Sequence, residues 1–229
     1  MAEASLALGE HSEPHCATAL SLAQETGDTR LVGWVRGTQA QTALYTDNPR
    51  EAITFAQAGR KTAPTGSAAL VRACTQEARA SARLGDRAGT QVALDAAENA
   101  WNVLPLLHVR SIYSLGTSYL PYCSATAFVW LGDLSQARTY ASQAVELADT
   151  ESEPTISTQV SVRVDLAIAL AQAHELDAAA AVAIEAMDFW AMRRTYPIRK
   201  RIRDLLATLQ PSSEQCVIEL KERWQWISD

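Results

Sequence analysis

Small and apolar residues recur along this chain with the period of a helix, and they follow turns. Gly132-Asp133 is followed by Ala137, Ala141, Ala144 and Ala148, which lie 5, 9, 12 and 16 places after the glycine. Steps of 4, 3 and 4 hold residues on one face of an α-helix. The same offsets from Asp47 reach Ala52, Ala56, Gly59 and Ala63. From Gly85 they reach Thr90, Leu94, Ala97 and Trp101, and from Glu175 they reach Ala180, Ile184, Met187 and Ala191. Thr90 is the one polar residue among them. Seven places before each anchor stand Ala40, Ala78, Ala125 and Ile168. Residues this small let a second helix lie close against the first. The predicted unit is therefore helix, short turn, helix, with anchors 38, 47 and 43 residues apart.

A half-unit precedes these. "ALSLA" at 19–23 parallels "AVELA" at 144–148, and "TGD" at 26–28 opens the next helix. The 47-residue step requires an insertion, placed at 102–121; the pattern leaves open whether it is loop, extra turn or hairpin. The chain ends in a predicted cap over 195–228. Ile198, Ile202, Leu205, Leu206 and Leu209 make one stripe, which Pro211 stops. Ser212 or Ser213 starts a last helix with Cys216 or Val217, Leu220, Trp224 and Ile227 inward. Trp226 falls off that stripe and is expected to be exposed or to face a partner chain.

Composition supports an all-α fold. The 229 residues are 48% hydrophobic, much of it alanine, with only 10 glycines and 8 prolines. A net charge of −6 argues against direct nucleic-acid binding, which needs a basic surface. The basic residues Arg193, Arg194, Arg199, Lys200, Arg201 and Arg203 cluster all the same. They are read as a solvated helix face, with a site for an acidic surface or phosphate as the alternative. Cys16, Cys74, Cys123 and Cys216 are scattered and read as small hydrophobes in a reducing compartment. With no signal peptide and no membrane-length apolar run, the expected location is cytoplasmic.

The repeated unit resembles the tetratricopeptide repeat, whose helix pairs span about 34 residues. Pro64 stands where that family's closing proline falls; the long steps depart from its length. The resemblance implies one TPR-like α-solenoid domain over 1–229, of about five helix pairs at roughly 1–27, 28–64, 67–102, 119–150 and 155–192. The stretches "LAQETGDTRLVGWVRGTQAQTALYTDNPREAITFAQAG" and "ARASARLGDRAGTQVALDAAENA" look like the sensory region of actinobacterial helix-turn-helix transcription regulators. No DNA-reading helix-turn-helix precedes the first repeat, so an excised domain or a stand-alone relative is expected, and DNA binding does not carry over.

In tetratricopeptide repeats a concave groove is lined at fixed places before each turn, 13, 10, 6, 3 and 2 residues back. Carried over, these places nominate Trp34, Gln41 and Tyr45, then Arg72, Arg79 and Arg83, then Tyr119, Tyr122, Thr126 and Trp130, and finally Asp165. Aromatics offer apolar area with a polar tip, and arginine can grip a carboxylate with two hydrogen bonds. Such a groove suits a peptide C-terminus or an acidic small molecule. The competing reading is that the aromatics fill core between repeats and the arginines are solvated.

Catalytic signals are sparse. His11, His15 and Cys16 read as a surface turn rather than half a metal site, because Pro14 intervenes and no further ligand cluster exists. His174 is expected to cap a helix end. Asp165, near Arg163 in sequence, is the best acid–base candidate. No nucleophile elbow, metalloprotease motif or phosphate loop is present. Neither a cofactor nor a metal is expected. The leading expectation is a ligand- or peptide-binding sensory module of a transcription regulator. Its partners would be a small molecule or peptide, and a DNA-binding domain, a protein or a second copy, but no membrane. A plain protein-docking scaffold and a small-molecule enzyme recruited from a regulator-like repeat are the alternatives.

Overall fold

A computed structural model describes residues 12–105, 113–151, 155–192, 194–209 and 213–228. The middle of the 102–121 insertion (106–112), His11, His108, Arg193, Pro211 and Ser212 lie outside them. The described residues form eleven helices and no strand, so the chain is all-α. None of these helices is long and apolar enough to cross a membrane. The contacts divide the chain into two compact units, 1–115 and 116–229.

Unit 1 holds α1 (Glu13–Thr26), α2 (Thr29–Tyr45), α3 (Pro49–Thr62), α4 (Ala68–Arg83) and α5 (Arg87–Asn102). Neighbours in sequence pack as far as α4 on α5, and α2 also packs directly on α4. Unit 2 holds α6 (Tyr119–Leu131), α7 (Leu134–Thr150), α8 (Ile156–Gln172), α9 (Leu176–Met192), α10 (Tyr196–Thr208) and α11 (Gln215–Ser228). There α6–α7, α7–α8 and α8–α9 pack in series, α6 packs on α8, α10 on α8 and α11 on α9. Contacts between alternate helices are thus α2 on α4 in unit 1, and α6 on α8, α8 on α10 and α9 on α11 in unit 2.

Alanine makes that double contact feasible. Ala52, Ala56, Ala97, Ala137, Ala141, Ala144 and Ala148 are fully buried, as are Ala40, Ala78 and Ala125 on the preceding helices. At Gly59 even a methyl is tight: an added Cβ would lie 3.2 Å from the Cβ atoms of both Ala73 and Arg36. A larger side chain at these places would push two neighbours apart at once.

The turns share one construction. Gly85, Gly132 and Asp47 adopt left-handed backbone with φ of 75°, 70° and 60°. In each, the left-handed N–H donates three residues back, and the next N–H donates to a carbonyl five residues back. That is the αL ending common to helices. Asp86 and Asp133 then cap the following helix through their side chains, each contributing about 1 kcal/mol.

The fourth turn corrects the sequence reading by one residue. Its left-handed residue is His174, at φ 63°, and its N–H bonds Ala171 just as the others do. Counting from His174 instead of Glu175, the offsets reach Ala179, Ala183, Ala186 and Trp190, all buried. Ala191, assigned inward from the sequence, is exposed, and Ile184 is half-buried. The cause is that a histidine occupies a conformation glycine usually supplies, so no glycine marks the place. The last helix also starts later than Ser212 or Ser213, at Gln215, and turns Val217 rather than Cys216 inward. Its Trp226 is 79% exposed. Cys74 is buried, and burial pushes its thiol up to about 11, so it packs as a neutral small side chain.

Ala141→Trp should lower stability by roughly 1–3 kcal/mol or more through overpacking, whereas Glu146→Trp, on the exposed side of α7, should cost far less. Melting temperatures of the two variants check this, and equal losses would contradict the inward placement of Ala141.

Candidate functional site

Six of the nominated residues meet in unit 1 on the face where α4 crosses α2. Arg72 reaches back from α4, and its guanidinium carbon lies 4.5 Å from the Trp34 ring centroid. The same guanidinium donates to Gln41 Oε1 at 2.7 Å and to Thr38 Oγ1 at 3.3 Å. Gly37 makes the space for it, since an added Cβ would sit 3.0 Å from Arg72 Cγ and Cδ. Two turns further on, the Arg79 guanidinium lies 6.0 Å from the Tyr45 ring and donates to Gln76 Oε1. Arg83 pairs with Asp47 at 3.4 Å, both side chains in solvent. Arg72 and Arg79 therefore form successive rungs onto α2, and Arg83 reaches the turn that follows it.

Burial grades these rungs. Arg79 is 1% exposed and Arg72 is buried, Gln41 and Tyr45 are half-buried, and Arg83 is exposed. Sequence reasoning offered either solvated arginines or a ligand grip. The structure shows two arginines inside the protein, stacked on aromatics. Trp34 is itself buried, packed with Ala63 and Ala69 and covered by Leu70 and Leu115. A guanidinium on an indole gains about 0.5–2 kcal/mol, with the upper end for desolvated pairs.

Unit 2 assembles the other group differently. Asp165 on α8 is 1% exposed. It accepts a hydrogen bond from the Thr126 hydroxyl and an ion pair from Arg201 on α10. The Arg201 guanidinium also lies 5.5 Å from the Trp130 ring and 3.5 Å from Asp204. Burial works to lower the Arg201 pKa, and the charge and hydrogen bond of Asp165, together with Tyr122 and Asp204, outweigh it, so the net shift is upward. Tyr122 packs on the Ala144, Ala148 and Val162 cluster between α6, α7 and α8. Tyr119 is half-buried at the first position of α6.

Arg201 is the site residue that sequence reasoning placed wrongly, as part of a solvated basic face. Its inward direction could have been read from its position between Ile198, Ile202 and Leu205 on the apolar stripe of α10. Arg163, near Asp165 in sequence, turns elsewhere. It pairs with Asp149 at 2.7 Å and Glu185 at 3.1 Å and lies 5.0 Å from Phe189, joining α7, α8 and α9. Asp165 is thus a carboxylate engaged by a threonine and an arginine. Among the described residues no three His, Cys, Asp or Glu side chains come together as a metal site would require.

No family model matches the chain, and no curated protein matches it.

Breaking the buried pair in unit 2 should be costly. Asp165→Ala leaves Arg201 uncompensated and should lose about 3–5 kcal/mol. Asp165→Leu combined with Arg201→Met removes both charges and should recover much of that loss. Denaturant titration of the single and double variants measures the coupling, and additive losses would show that the two charges do not act as a pair.

Proposed function

We propose that the chain is a TPR-like α-solenoid binding module that takes a ligand with an apolar body and an anionic end, the role its resemblance to regulator sensory regions suggests. The observation that carries this reading is the α2–α4 face of unit 1. Arg72, Arg79 and Arg83 bring three guanidinium groups to one side of α4, interleaved with Trp34, Gln41 and Tyr45 from α2. Aromatic walls supply burial at about 25 cal/mol per Å², and an arginine meeting a ligand anion adds about 1.5–3 kcal/mol.

The partial burial of this face suits sensing. Gln41, Tyr45 and Arg83 keep solvent contact, while Arg72 and Arg79 join α2 to α4. A ligand that draws on the outer groups perturbs the rungs beneath, and so the crossing of the two helices. Signals in helical proteins commonly pass through such shifts of packed elements. In unit 2 the nominated carboxylate Asp165 is paired with Arg201.

A panel of aliphatic and aromatic carboxylates and acidic peptides, scored by thermal shift and native mass spectrometry, tests the reading. A bound carboxylate should raise the melting temperature, with a stabilisation that grows as RT ln(1 + c/Kd), where c is the free ligand concentration. Arg72→Lys keeps the charge and loses the planar fork, so it should weaken binding at least several-fold, as should Tyr45→Ala. Arg199→Ala with Lys200→Ala should leave binding unchanged. Sensitivity to that pair but not to Arg72 or Tyr45 would move the site to α10, and turnover of the bound compound would make the protein an enzyme.

A further inference from the structure

We propose that α10 and α11 together form a self-complementary face, and that a second copy of this chain docks on it across a two-fold axis. The inference does not rest on the ligand reading above. α10 turns Ile198, Ile202, Leu205 and Leu209 inward. Two residues before each stand Tyr196, Lys200, Arg203 and Ala207, and a shift of two residues carries a side chain to the opposite side of a helix. Tyr196 is 45% exposed, Arg203 and Ala207 are exposed, and Lys200 is half-buried. α11 turns Val217, Leu220 and Trp224 inward, and two residues after each stand Glu219, Glu222 and Trp226. Both glutamates are exposed, and Trp226 is the most exposed large apolar side chain among the described residues. The outer side of α10 is thus basic with an aromatic ring at its start, and that of α11 is acidic with an aromatic ring near its end.

The two helices rest on the two partners of one hairpin, α8 and α9. Arg163 pairs with Glu185 across that hairpin, which brings the end of α9 to the start of α8. There Trp190 Nε1 donates to Thr195 O at the entry to α10, and Arg201 further on meets Asp165 of α8. α10 therefore runs parallel to α8. α11 runs parallel to α9, since Cys216 lies by Asp177 and Trp224 meets Trp190 with ring centroids 4.9 Å apart. α10 and α11 are then antiparallel to each other. A two-fold axis parallel to the helices lays α10 of each copy antiparallel on α11 of the other. In that register Tyr196 meets the partner's Trp226, Lys200 the partner's Glu222 and Arg203 the partner's Glu219, because both stripes step by four and then three residues.

Each of these contacts occurs twice across the axis. A basic stripe repels a second basic stripe, and an acidic stripe a second acidic one, so charge selects α10 on α11 over either helix on itself. The charges set the register, and Trp226 is the anchor, because tryptophan is prominent among the residues that carry binding energy at interfaces. Two short helix faces make a small interface, which places the dimer in the weak and salt-sensitive class.

Sedimentation velocity of the full chain at about 100 µM and low salt should show a dimer that dissociates on dilution and at high salt. Trp226→Ala, at a solvent-exposed position, should leave the chain folded and weaken dimerisation at least about tenfold. Lys200→Glu with Arg203→Glu makes both stripes acidic, and Glu219→Lys with Glu222→Lys makes both basic. Each double variant alone should be monomeric. An equal mixture of the two should form the dimer again, because every contact then joins opposite charges. Melting curves check that both are folded, and Trp226→Ala decides the matter where one is not. A wild-type chain that stays monomeric at about 100 µM, a dimer indifferent to Trp226→Ala, or a mixture of folded variants that stays monomeric overturns the proposal; the first of these results leaves the face to a different protein.

Discussion

The distance at which one helix can cross the next is the constraint on which the structure depends. Besides its neighbours in sequence, α4 touches α2, and α8 touches both α6 and α10. That geometry is available only where side chains on the shared face are nearly absent. Alanine serves because it adds one methyl and carries the highest helix propensity. At Gly59, where α2, α3 and α4 meet, and at Gly37, beneath the Arg72 side chain, even a methyl is tight. Alanine makes up about half of the buried apolar residues, beside larger ones such as Met187, Trp190, Ile202, Leu205 and Leu220, and the core coheres through many short contacts.

Close crossing has an electrostatic consequence. Once α2 and α4 lie together, long polar side chains between them cannot all reach water. Arg72 and Arg79 meet aromatic faces and neutral side-chain oxygens there. In unit 2 the same difficulty is met by an ion pair, Asp165 with Arg201, completed by Thr126.

Charge reading from composition was misleading at one place for a clear reason. The basic run near the C-terminus is dense enough to look like a solvated face, yet it contains one residue whose helical phase is inward. Arg201 stands between Ile198, Ile202 and Leu205, and phase outweighs residue type once α10 docks on α8. Its partner Asp165 is 36 residues away in the chain, and no local pattern links the two.

The helix pairs, their inward alanines and three of the four turns were legible in the sequence, because period and backbone conformation are local properties. Gly85 and Gly132 mark left-handed turns, and Asp86 and Asp133 mark the helix starts that follow. Register in the fourth pair was not legible, since His174 takes the left-handed place without a glycine to show it. Trp34, Arg72, Gln41 and Tyr45 could be nominated together from their places before the turns. Which arginine stacks on which ring, how deeply each is buried, and that Tyr113 comes to rest on Trp34 depend on crossings between helices distant in sequence. Those crossings are set by packing of the whole unit, and only the tertiary structure decides them.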